Sequence, residues 1–399
     1  MTALRVLPPV HSPVAPGAIL SGIGAWLGGA ARARGSVMAA LTERFGTVGV
    51  LLTDSGTSAL ALALHAAAAR TPGPVALPAY SCYDVATAAD AAGVDVLLYD
   101  LDPATLAPDQ AGLADVLERG ARTVVVTHLY GIPVDLAPVS ALLGRYAAVL
   151  IEDGAQGAGA RQHGRPLGSF GSLAVLSFGR GKGVTAGRGG ALMANDPGGA
   201  AALAPAADRI RPGRTAAIEP VALLAQWLLA RPALYGIPAS LSFLGLGETV
   251  YRSPHEAQEM SPFALGVLRR SLASADREAD IRRAHAARLL ASVRGAGGGL
   301  AAPCPPAAAA PGYLRLPVLV PAPRREAFCS REARRLGIMQ AYPGTLAELP
   351  GFGTRARNAG AAFPGARHLV ESLFTLPTHG LLSERDLAEL DRWIGGPNR

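Results

Sequence analysis

The first two hundred residues alternate short apolar runs with helical patterns, and this alternation restricts the possible folds more than any other feature of the chain. Short runs rich in Val, Leu and Ile between helices are typical of a mostly parallel central sheet with helices on both faces. We therefore predict an α/β fold of this kind. The predicted strands cover 48–52, 75–77, 94–99, 123–127, 149–151, 174–178 and 190–194, and the predicted helices between them cover 57–69, 82–92 and 109–118.

A different pattern begins at Ser261. This serine, followed by Pro262, is typical of a helix N-cap with proline in the first turn, and apolar residues then recur at helical spacing to about position 293. After a loop rich in glycine and proline, the pattern predicts a strand at 314–320 and a last helix at 384–394. We predict a large domain over 1–255, with an insertion at about 205–252, and a smaller C-terminal α+β domain over 256–399.

Composition narrows the class of protein. With 399 residues, of which 50% are hydrophobic, the chain can bury a large core. The net charge of +7 suits anionic ligands, but the basic residues are scattered rather than clustered, so we expect no nucleic-acid binding. The three cysteines lie far apart and lack the spacing of zinc ligands. We therefore expect no disulfide framework, no metal site and a cytoplasmic location.

One apolar stretch, 221–246, could contact a membrane. It is interrupted by Gln226, Arg231 and two prolines, so we do not expect it to span a bilayer. We also expect no secretion signal, because four prolines precede the first apolar run. The stretch can lie on a membrane surface, form a subunit interface or cover the functional site, and we favour the last two. Its apolar surface is formed by Trp227, Leu228, Leu229, Tyr235, Phe243 and Leu244.

A strand end that runs into a helix at Ser55, Gly56 and Thr57 suggests a phosphate site. Free amides at a helix N-terminus, together with the two hydroxyl groups, can bind a phosphate. Ser177, which arrives from another part of the chain, can donate to the same group. A plain N-cap is the more common reason for such a cluster of small polar residues.

Lys182 lies among six glycines, and this environment distinguishes it from a solvated surface lysine. Its amine can form a Schiff base with an aldehyde, and the glycines let the backbone wrap around a ligand. A phosphate-binding Walker loop does not fit, because Gly183 rather than Ser or Thr follows the lysine. About thirty residues earlier, Asp153 can pair with a pyridinium nitrogen and Gln156 can hydrogen-bond a phenolic oxygen. This order predicts covalently bound pyridoxal 5′-phosphate, although an acidic residue after a strand is more often a helix cap.

A series of motifs in this chain resembles those of the DegT/DnrJ/EryC1/StrS aminotransferases. The resemblance implies the fold of fold-type I pyridoxal-phosphate transferases, a homodimer, and transfer of an amino group to a nucleotide-linked keto sugar. The motifs are Ser55-Gly56-Thr57, Leu77-Pro78-Ala79-Tyr80, Tyr99-Asp100-Leu101-Asp102, His128-Leu129-Tyr130-Gly131, Glu152-Asp153-Gly154-Ala155-Gln156, Phe170-Gly171, Gly187-Arg188-Gly189-Gly190, Gly337-Ile338, Tyr342-Pro343, Phe363-Pro364 and Leu376-Pro377-Thr378-His379.

The resemblance also implies roles for individual residues. Lys182 matches the Schiff-base lysine, Asp153 the partner of the pyridinium nitrogen and Gln156 the partner of the phenolic oxygen. Related dehydratases have histidine in place of this lysine, so Lys182 indicates transamination, in which its amine also moves protons. The matches to phosphate ligands are Gly56, Thr57 and Ser177, to which we add Ser55.

Two positions depart from the family pattern. Cys82 stands where relatives have an aromatic residue stacked on the cofactor ring, so Tyr83 or Tyr80 is expected to take that place. The stretch 257–259, Ala-Gln-Glu, replaces an Asn-Tyr-Arg motif that reaches the partner subunit's phosphate site. Either a basic residue of the 205–252 insertion supplies that contact, or the contribution across the subunit interface is absent.

These observations predict an aminotransferase that takes nitrogen from an amino acid such as glutamate and gives it to a nucleotide-linked keto sugar, in amino-sugar, polysaccharide or secondary-metabolite biosynthesis. We expect His128 and Tyr342 to contact the substrate, although His128 can equally be a satisfied buried histidine. Two alternatives remain open. The chain can act on a carbonyl compound that is not a sugar, or it can be a catalytically silent member with a regulatory or assembly role.

Overall fold

The computed structural model describes residues 5–241 and 249–396. Seven strands form the central sheet, in the order β1-β9-β8-β5-β4-β2-β3. The strands are β1 (Gly49–Thr53), β2 (Val75–Pro78), β3 (Val96–Tyr99), β4 (Thr123–Thr127), β5 (Val149–Asp153), β6 (Arg161–Gln162), β7 (Arg165–Pro166), β8 (Leu173–Ser177), β9 (Gly190–Ala194), β10 (Ala309–Ala310), β11 (Leu316–Leu319), β12 (Met339–Gln340) and β13 (Leu373–Leu376).

Helices cover the sheet and follow its strands along the chain. In the described residues they are α1 (Pro16–Gly24), α2 (Ala30–Phe45), α3 (Gly56–Arg70), α4 (Tyr83–Ala92), α5 (Gln110–Glu118), α6 (Leu136–Arg145), α7 (Pro197–Ala207), α8 (Ile218–Leu229), α9 (Gly236–Ala239), α10 (Pro262–Ser271), α11 (Ala275–Gly295), α12 (Ala322–Phe328), α13 (Arg331–Arg335), α14 (Pro364–Ser372) and α15 (Glu384–Gly395).

The central sheet confirms the predicted mostly parallel architecture. Each of the seven predicted strands is present, and β9 alone in this sheet runs antiparallel to its neighbours β1 and β8. Strands β2, β3 and β4 are buried along their whole length, which agrees with their Val- and Leu-rich sequences. Because β1, β5 and β8 run in the same direction, their carboxyl ends meet at one edge of the sheet, where ligands of such folds bind.

The predicted long helix after Ser261 is divided into two. Ser261 caps α10 as expected, since its hydroxyl accepts a hydrogen bond from the amide of Ala264 at 3.2 Å. A 3₁₀ turn, Leu272–Ser274, then separates α10 from α11. The Ser274 hydroxyl donates to the carbonyl oxygen of Ser271 at 3.0 Å, and such side-chain bonds to the backbone compete with the regular helical pattern.

The C-terminal part of the chain forms a separate antiparallel sheet in the order β11-β13-β12. A third, small sheet pairs β10 from this region with β6 and β7 from the loop after β5. Helix α10 packs against α1 and α2 of the N-terminal region. The domain boundary at 255/256 stays a prediction.

The apolar stretch of the insertion is exposed on α8. Ile218, Val221, Leu224 and Leu228 of this helix are exposed, while Leu223 is buried. The Arg231 guanidinium lies 4.4 Å from the ring centre of Trp227. Phe243 and Leu244, which were predicted to belong to the same surface, lie outside the described residues. Among the helices described, none has both the length and the hydropathy required to cross a bilayer.

A buried histidine, His379, and a partly buried one, His11, predict a loss of stability in mild acid. His379 donates from Nε2 to the carbonyl oxygen of Pro8 at 2.7 Å, and its ring lies 6.0 Å from that of His11. Burial lowers the pKa of His379 to about 3, and burial together with the charge of Arg231 lowers the pKa of His11 to about 4. The unfolded chain therefore binds protons below pH ~6.5 that the folded protein excludes, and stability falls as the pH falls.

We expect His379 alone to make the free energy of unfolding about 2 kcal/mol lower at pH 5 than at pH 8. Urea unfolding at both pH values, for the wild type and for His379→Asn, measures this difference. His379→Asn should lose this part of the pH dependence of stability. His163→Asn, which replaces an exposed histidine, should keep the pH dependence of the wild type. An unchanged pH dependence in His379→Asn would show that this histidine is not held neutral.

Candidate active site

A cavity of about 590 Å³ opens at the carboxyl edge of the central sheet. It lies between the N-terminus of α3, the end of β8 and the glycine-rich segment that follows β8. A cavity of this size can take a small cofactor together with part of a substrate. The predicted site residues that line it are Ser55, Gly56, Thr57, Ser177 and Lys182, and the other lining residues include Cys82, Arg180, Arg188 and Arg252.

The N-terminus of α3 provides the predicted phosphate site. The Ser55 hydroxyl accepts from the amide of Ser58 at 3.0 Å, so this serine is the N-cap of the helix, which was the alternative interpretation. The amides of Gly56 and Thr57 have no hydrogen-bond partner in the described part of the chain. A Cβ atom on Gly56 would lie 2.7 Å from the Cβ of Ser177, so only glycine lets these two segments meet.

Lys182 lines the same cavity, and its amine has no partner among the described residues. Within residues 5–241 and 249–396, no hydrogen bond or ion pair involves its Nζ atom. The loop is anchored through the backbone instead, because the Ser12 hydroxyl donates to the carbonyl oxygen of Lys182 at 2.9 Å. Gly181 and Gly187 have φ angles of 76° and 81°, which side-chain-bearing residues rarely adopt.

Lys182 is also the sole lysine of the 399-residue chain. All the other strongly basic side chains in the sequence belong to arginine. This signal is visible in the sequence and strengthens the prediction that its amine has a chemical role. An arginine can replace a lysine as a surface charge, but its guanidinium cannot form a Schiff base under physiological conditions.

Asp153 ends β5 and is almost fully buried, and its carboxylate is close enough to Lys182 for their charges to interact. One carboxylate oxygen accepts from the amide of Ala155 at 3.0 Å, and the other accepts from the Thr127 hydroxyl at 3.1 Å. Burial raises the pKa of Asp153, and these two hydrogen bonds and the charge of Lys182 oppose that effect. Such a carboxylate is well suited to a cationic partner.

Gln156 connects the cavity region to the C-terminal part of the chain. Its side-chain oxygen accepts from the amide of Tyr130 at 2.9 Å, and its Nε2 donates to the Tyr342 hydroxyl at 2.8 Å. The ring of Tyr342 is stacked near that of Tyr130, with centres 6.0 Å apart. Two of the predicted site residues, Gln156 and Tyr342, are therefore in direct contact.

His128 is fully buried and satisfied, which is the alternative interpretation given for it. Its Nε2 lies 3.0 Å from Oε1 of Glu152, and its Nδ1 accepts from the amide of Val134 at 3.0 Å. Both ring nitrogens are thus used within the protein, and neither is free for a substrate.

Glu152 is a positioning residue that the sequence did not reveal. Its carboxylate is fully buried and accepts hydrogen bonds from the amides of Gly168, Phe170 and Gly171 at 2.5, 2.7 and 3.1 Å. Burial alone would raise its pKa, but the hydrogen bonds from His128 and from the backbone amides of Gly168 and Phe170 lower it below the ordinary value. This carboxylate therefore ties the 168–171 loop to the strand that presents Asp153.

Replacing Glu152 with glutamine should destabilise the protein by about 3–5 kcal/mol, because an amide NH₂ would face backbone donors and leave them unsatisfied in the core. Urea unfolding at neutral pH measures the loss. As a control, Asp115→Asn removes an exposed carboxylate from a helix-surface ion pair with Arg119 and should leave the stability unchanged. Equal unfolding free energies for the Glu152→Gln and wild-type proteins would contradict this account.

Comparison with known proteins supports the predicted resemblance. Residues 36–208, about two fifths of the chain, match the sequence model of the DegT/DnrJ/EryC1/StrS aminotransferase family. The resemblance predicted from the motifs is confirmed over this segment.

Two relatives and two solved structures illustrate the relationship. The chain is 37% identical over 166 residues to an L-glutamine:2-deoxy-scyllo-inosose aminotransferase of Micromonospora echinospora, a match that covers 41% of this chain and 38% of that protein. It is 31% identical over 157 residues to GDP-perosamine synthase of Caulobacter vibrioides, a match that covers 39% of this chain and 42% of that protein. The matched segments thus span about two fifths of these relatives.

The solved structures extend the similarity in fold to nearly the whole chain. The sugar aminotransferase CalS13 from Micromonospora echinospora has a TM-score of 0.71 at 23% identity and covers 98% of this chain and 100% of its own. The structure of 3-amino-5-hydroxybenzoic acid synthase has a TM-score of 0.77 at 21% identity, with 98% of both chains covered. These likenesses confirm the predicted fold.

Pyridoxal 5′-phosphate, the cofactor of the DegT/DnrJ/EryC1/StrS family, fits the residues present. The unpaired amides of Gly56 and Thr57 suit its phosphate, and the uncommitted amine of Lys182 suits its aldehyde. The buried carboxylate of Asp153 suits its ring nitrogen. The individual cofactor contacts stay predictions.

Cys82 is the first departure from the family pattern. Cys82 lines the cavity, whereas Tyr83 and Tyr80 are not among the lining residues. A Cβ atom on Gly344 would lie 2.9 Å from the Tyr83 hydroxyl, so this tyrosine extends towards the C-terminal region. Burial and the nearby charge of Asp84 raise the pKa of the Cys82 thiol to about 12, and the thiol therefore stays protonated.

The stretch 257–259 occupies the place of the Asn-Tyr-Arg motif. The backbone of Gln258 hydrogen-bonds Asp54 at 2.8 Å and 3.1 Å, and Glu259 forms an ion pair with Arg34 at 3.0 Å. This stretch therefore adds to the edge of the sheet. A basic residue of the insertion, Arg252, lines the cavity from the same subunit.

Proposed function

We propose that this chain is a pyridoxal-phosphate aminotransferase that moves an amino group from an amino acid to a keto sugar linked to a nucleotide. The observation that carries the proposal is the position of the uncommitted Lys182 amine. It lines the same cavity as the amides at the N-terminus of α3, and it is close enough to the buried carboxylate of Asp153 for their charges to interact. The match of residues 36–208 to the aminotransferase family model supports the reaction class.

Each residue has one task in this proposal. The bound cofactor supplies an aldehyde that receives nitrogen and a ring that accepts electrons. The Nζ atom of Lys182 would hold the cofactor through its aldehyde, and the amine, once released, would accept and return the proton that the reaction moves. Asp153, oriented by Thr127 and Ala155, keeps the ring nitrogen protonated. Gly56, Thr57 and Ser177 bind the phosphate, with the N-cap Ser55 holding the helix end.

The choice of acceptor rests on the charge of the cavity. Arg180, Arg188 and Arg252 line it beside the α3 N-terminus, and their charges suit a substrate that carries a diphosphate. Arg188 also interacts with Asp54 and Glu219, at 3.6 Å and 3.3 Å, which leaves Arg180 and Arg252 as the proposed diphosphate contacts. GDP-perosamine synthase, one of the relatives, is consistent with a nucleotide-linked product.

A second candidate acceptor is a cyclic polyol ketone without a nucleotide. The relative from Micromonospora echinospora is named for such a compound, 2-deoxy-scyllo-inosose, and for L-glutamine as its donor. The absent Asn-Tyr-Arg motif and Cys82 are also consistent with an acceptor that differs from the usual family substrates.

We further propose a homodimer in the cytoplasm. The exposed apolar residues of α8 suit a subunit interface, and contact with a membrane surface is the alternative for them. All three cysteines are free thiols, which is consistent with a reducing compartment.

Absorbance spectroscopy tests the proposed reaction. The protein loaded with pyridoxal phosphate should show a near-visible band, and L-glutamate or L-glutamine should bleach it as nitrogen moves to the cofactor. A panel of nucleotide-linked keto sugars and inososes, added to the bleached protein, then identifies the acceptor class through the return of the band. If no amino acid bleaches the band, the protein is not an aminotransferase.

A further inference from the structure

The loop that carries Lys182 has little hydrogen bonding of its own. Residues 180–184 lie outside the helices and strands, and within the described residues only one hydrogen bond reaches their main chain. The Ser12 hydroxyl provides it, by donating to the carbonyl oxygen of Lys182 at 2.9 Å. The glycines of this loop make its backbone flexible. The position of the Lys182 backbone therefore depends on a residue that lies 170 positions earlier in the chain.

An N-terminal strap, residues 6–12, carries this serine. The strap is fixed to the C-terminal part of the chain at two points. The amide of Leu7 donates to the carbonyl oxygen of Arg335 at 2.8 Å, and Nε2 of His379 donates to the carbonyl oxygen of Pro8 at 2.7 Å. Two consecutive prolines restrict the φ angles of the strap further. The strap thus presents the serine hydroxyl from a fixed position.

The strap also packs against the lysine loop. A Cβ atom on Gly181 would lie 3.4 Å from Cγ1 of Val10, so Val10 covers the residue that precedes Lys182. Ser12 is buried, and water therefore competes little for its hydrogen bond. The Nζ atom of Lys182, by contrast, has no partner within residues 5–241 and 249–396. The strap consequently fixes the base of this side chain and leaves its amine available for chemistry.

We infer that Ser12 is a positioning residue for Lys182. Its hydrogen bond holds the lysine backbone so that the amine meets the cofactor aldehyde in a productive orientation. Precise placement of a reacting group contributes strongly to catalysis, and a displacement of about 1 Å can slow a reaction about 100-fold. The inference rests on the proposed function, because it assigns a role in the same reaction.

A purely structural role for Ser12 makes a different prediction. Removing a hydroxyl that only satisfies a carbonyl oxygen should lower the stability of the protein and leave the reaction rates of the folded molecules unchanged. Ser372 provides the comparison, because it is buried in α14 and its hydroxyl donates to the carbonyl oxygen of His368 at 2.6 Å. Ser372→Ala is therefore the matched control for Ser12→Ala.

The first measurement follows the near-visible band as pyridoxal phosphate attaches to the unloaded, full-length protein. Ser12→Ala should form the band about 10-fold more slowly than the wild type, and the circular dichroism of the band should be weaker. In the loaded protein, bleaching by L-glutamate or L-glutamine should slow by about 10- to 100-fold, whereas the donor concentration that gives half the maximal rate should stay unchanged. Ser12→Thr, which keeps the hydroxyl, should restore both rates, and Ser372→Ala should match the wild type.

The two readouts separate this inference from the proposed function. If Ser12→Ala forms the band slowly but no amino donor bleaches the band of the wild type, Ser12 positions Lys182 and the aminotransferase proposal fails. The inference is overturned if Ser12→Ala keeps the wild-type rates, or if Ser372→Ala or Ser12→Thr is as slow as Ser12→Ala. It is also overturned if the wild type forms no band.

Discussion

Lys182→Ala should abolish nitrogen transfer, with a fall of about 10⁴-fold or more in the rate at which an amino donor bleaches the cofactor band. The chain contains no second lysine, so no other ε-amine can hold the cofactor or move the proton. The variant should remain folded, because the Nζ atom forms no hydrogen bond or ion pair in the described residues. Single-turnover absorbance measurements with L-glutamate or L-glutamine give the rate.

Lys182→Arg is the matched control for charge. It retains a cation near Asp153 but lacks a nucleophilic amine, so it should be as inactive as the alanine variant. A small primary amine added to Lys182→Ala should restore part of the activity, because it can replace the lost proton carrier. Activity in Lys182→Arg near that of the wild type would mean that the residue contributes only charge.

Asp153→Asn should slow the donor half-reaction by about 10²- to 10³-fold. The neutral amide cannot stabilise a protonated ring nitrogen, so the cofactor would accept electrons less readily. The fold should tolerate the change: the side-chain oxygen still accepts from the amide of Ala155, and the Thr127 hydroxyl can rotate to accept from the new NH₂ group. The same single-turnover absorbance experiment measures the effect.

Asp135→Asn is the control for this prediction. Asp135 is an exposed carboxylate that accepts from the amide of Ala137 at the start of α6, so the substitution makes the same charge change in a similar local structure away from the cavity. It should leave the half-reaction unchanged. A rate for Asp153→Asn within a few fold of the wild type would remove Asp153 from the mechanism.

Much of the sheet could be predicted because its strands carry local signals. β4 and β9 begin and end where the apolar runs do, and turn residues mark the boundaries of the others to within a few positions. The direction of β1, β5 and β8 then brings Ser55, Asp153 and Ser177 to one edge. The break between α10 and α11 was not predicted, since it depends on whether Ser274 bonds the backbone or faces solvent.

The environments of charged residues were harder to predict. Glu152 and Asp153 are adjacent acids in the sequence, but the Glu152 carboxylate binds the amides of the 168–171 loop, whereas the Asp153 carboxylate interacts with the charge of Lys182. The two side chains differ because neighbouring residues of a strand point to opposite faces of the sheet. The loop that binds Glu152 begins only about fifteen residues later in the chain. Arg315 resembles a surface charge at the start of a strand, and only tertiary packing reveals that its Nε and Nη2 atoms are buried without a hydrogen bond from the described residues.

Borohydride reduction of the protein loaded with pyridoxal phosphate, followed by peptide mapping, tests the central claim most directly. Reduction fixes the cofactor to the amine that holds it, and the chain offers only Lys182 and the N-terminal amine. The account predicts one added cofactor mass, on the peptide that contains Lys182. An unmodified Lys182 peptide, with the added mass absent or confined to the N-terminus, would contradict it.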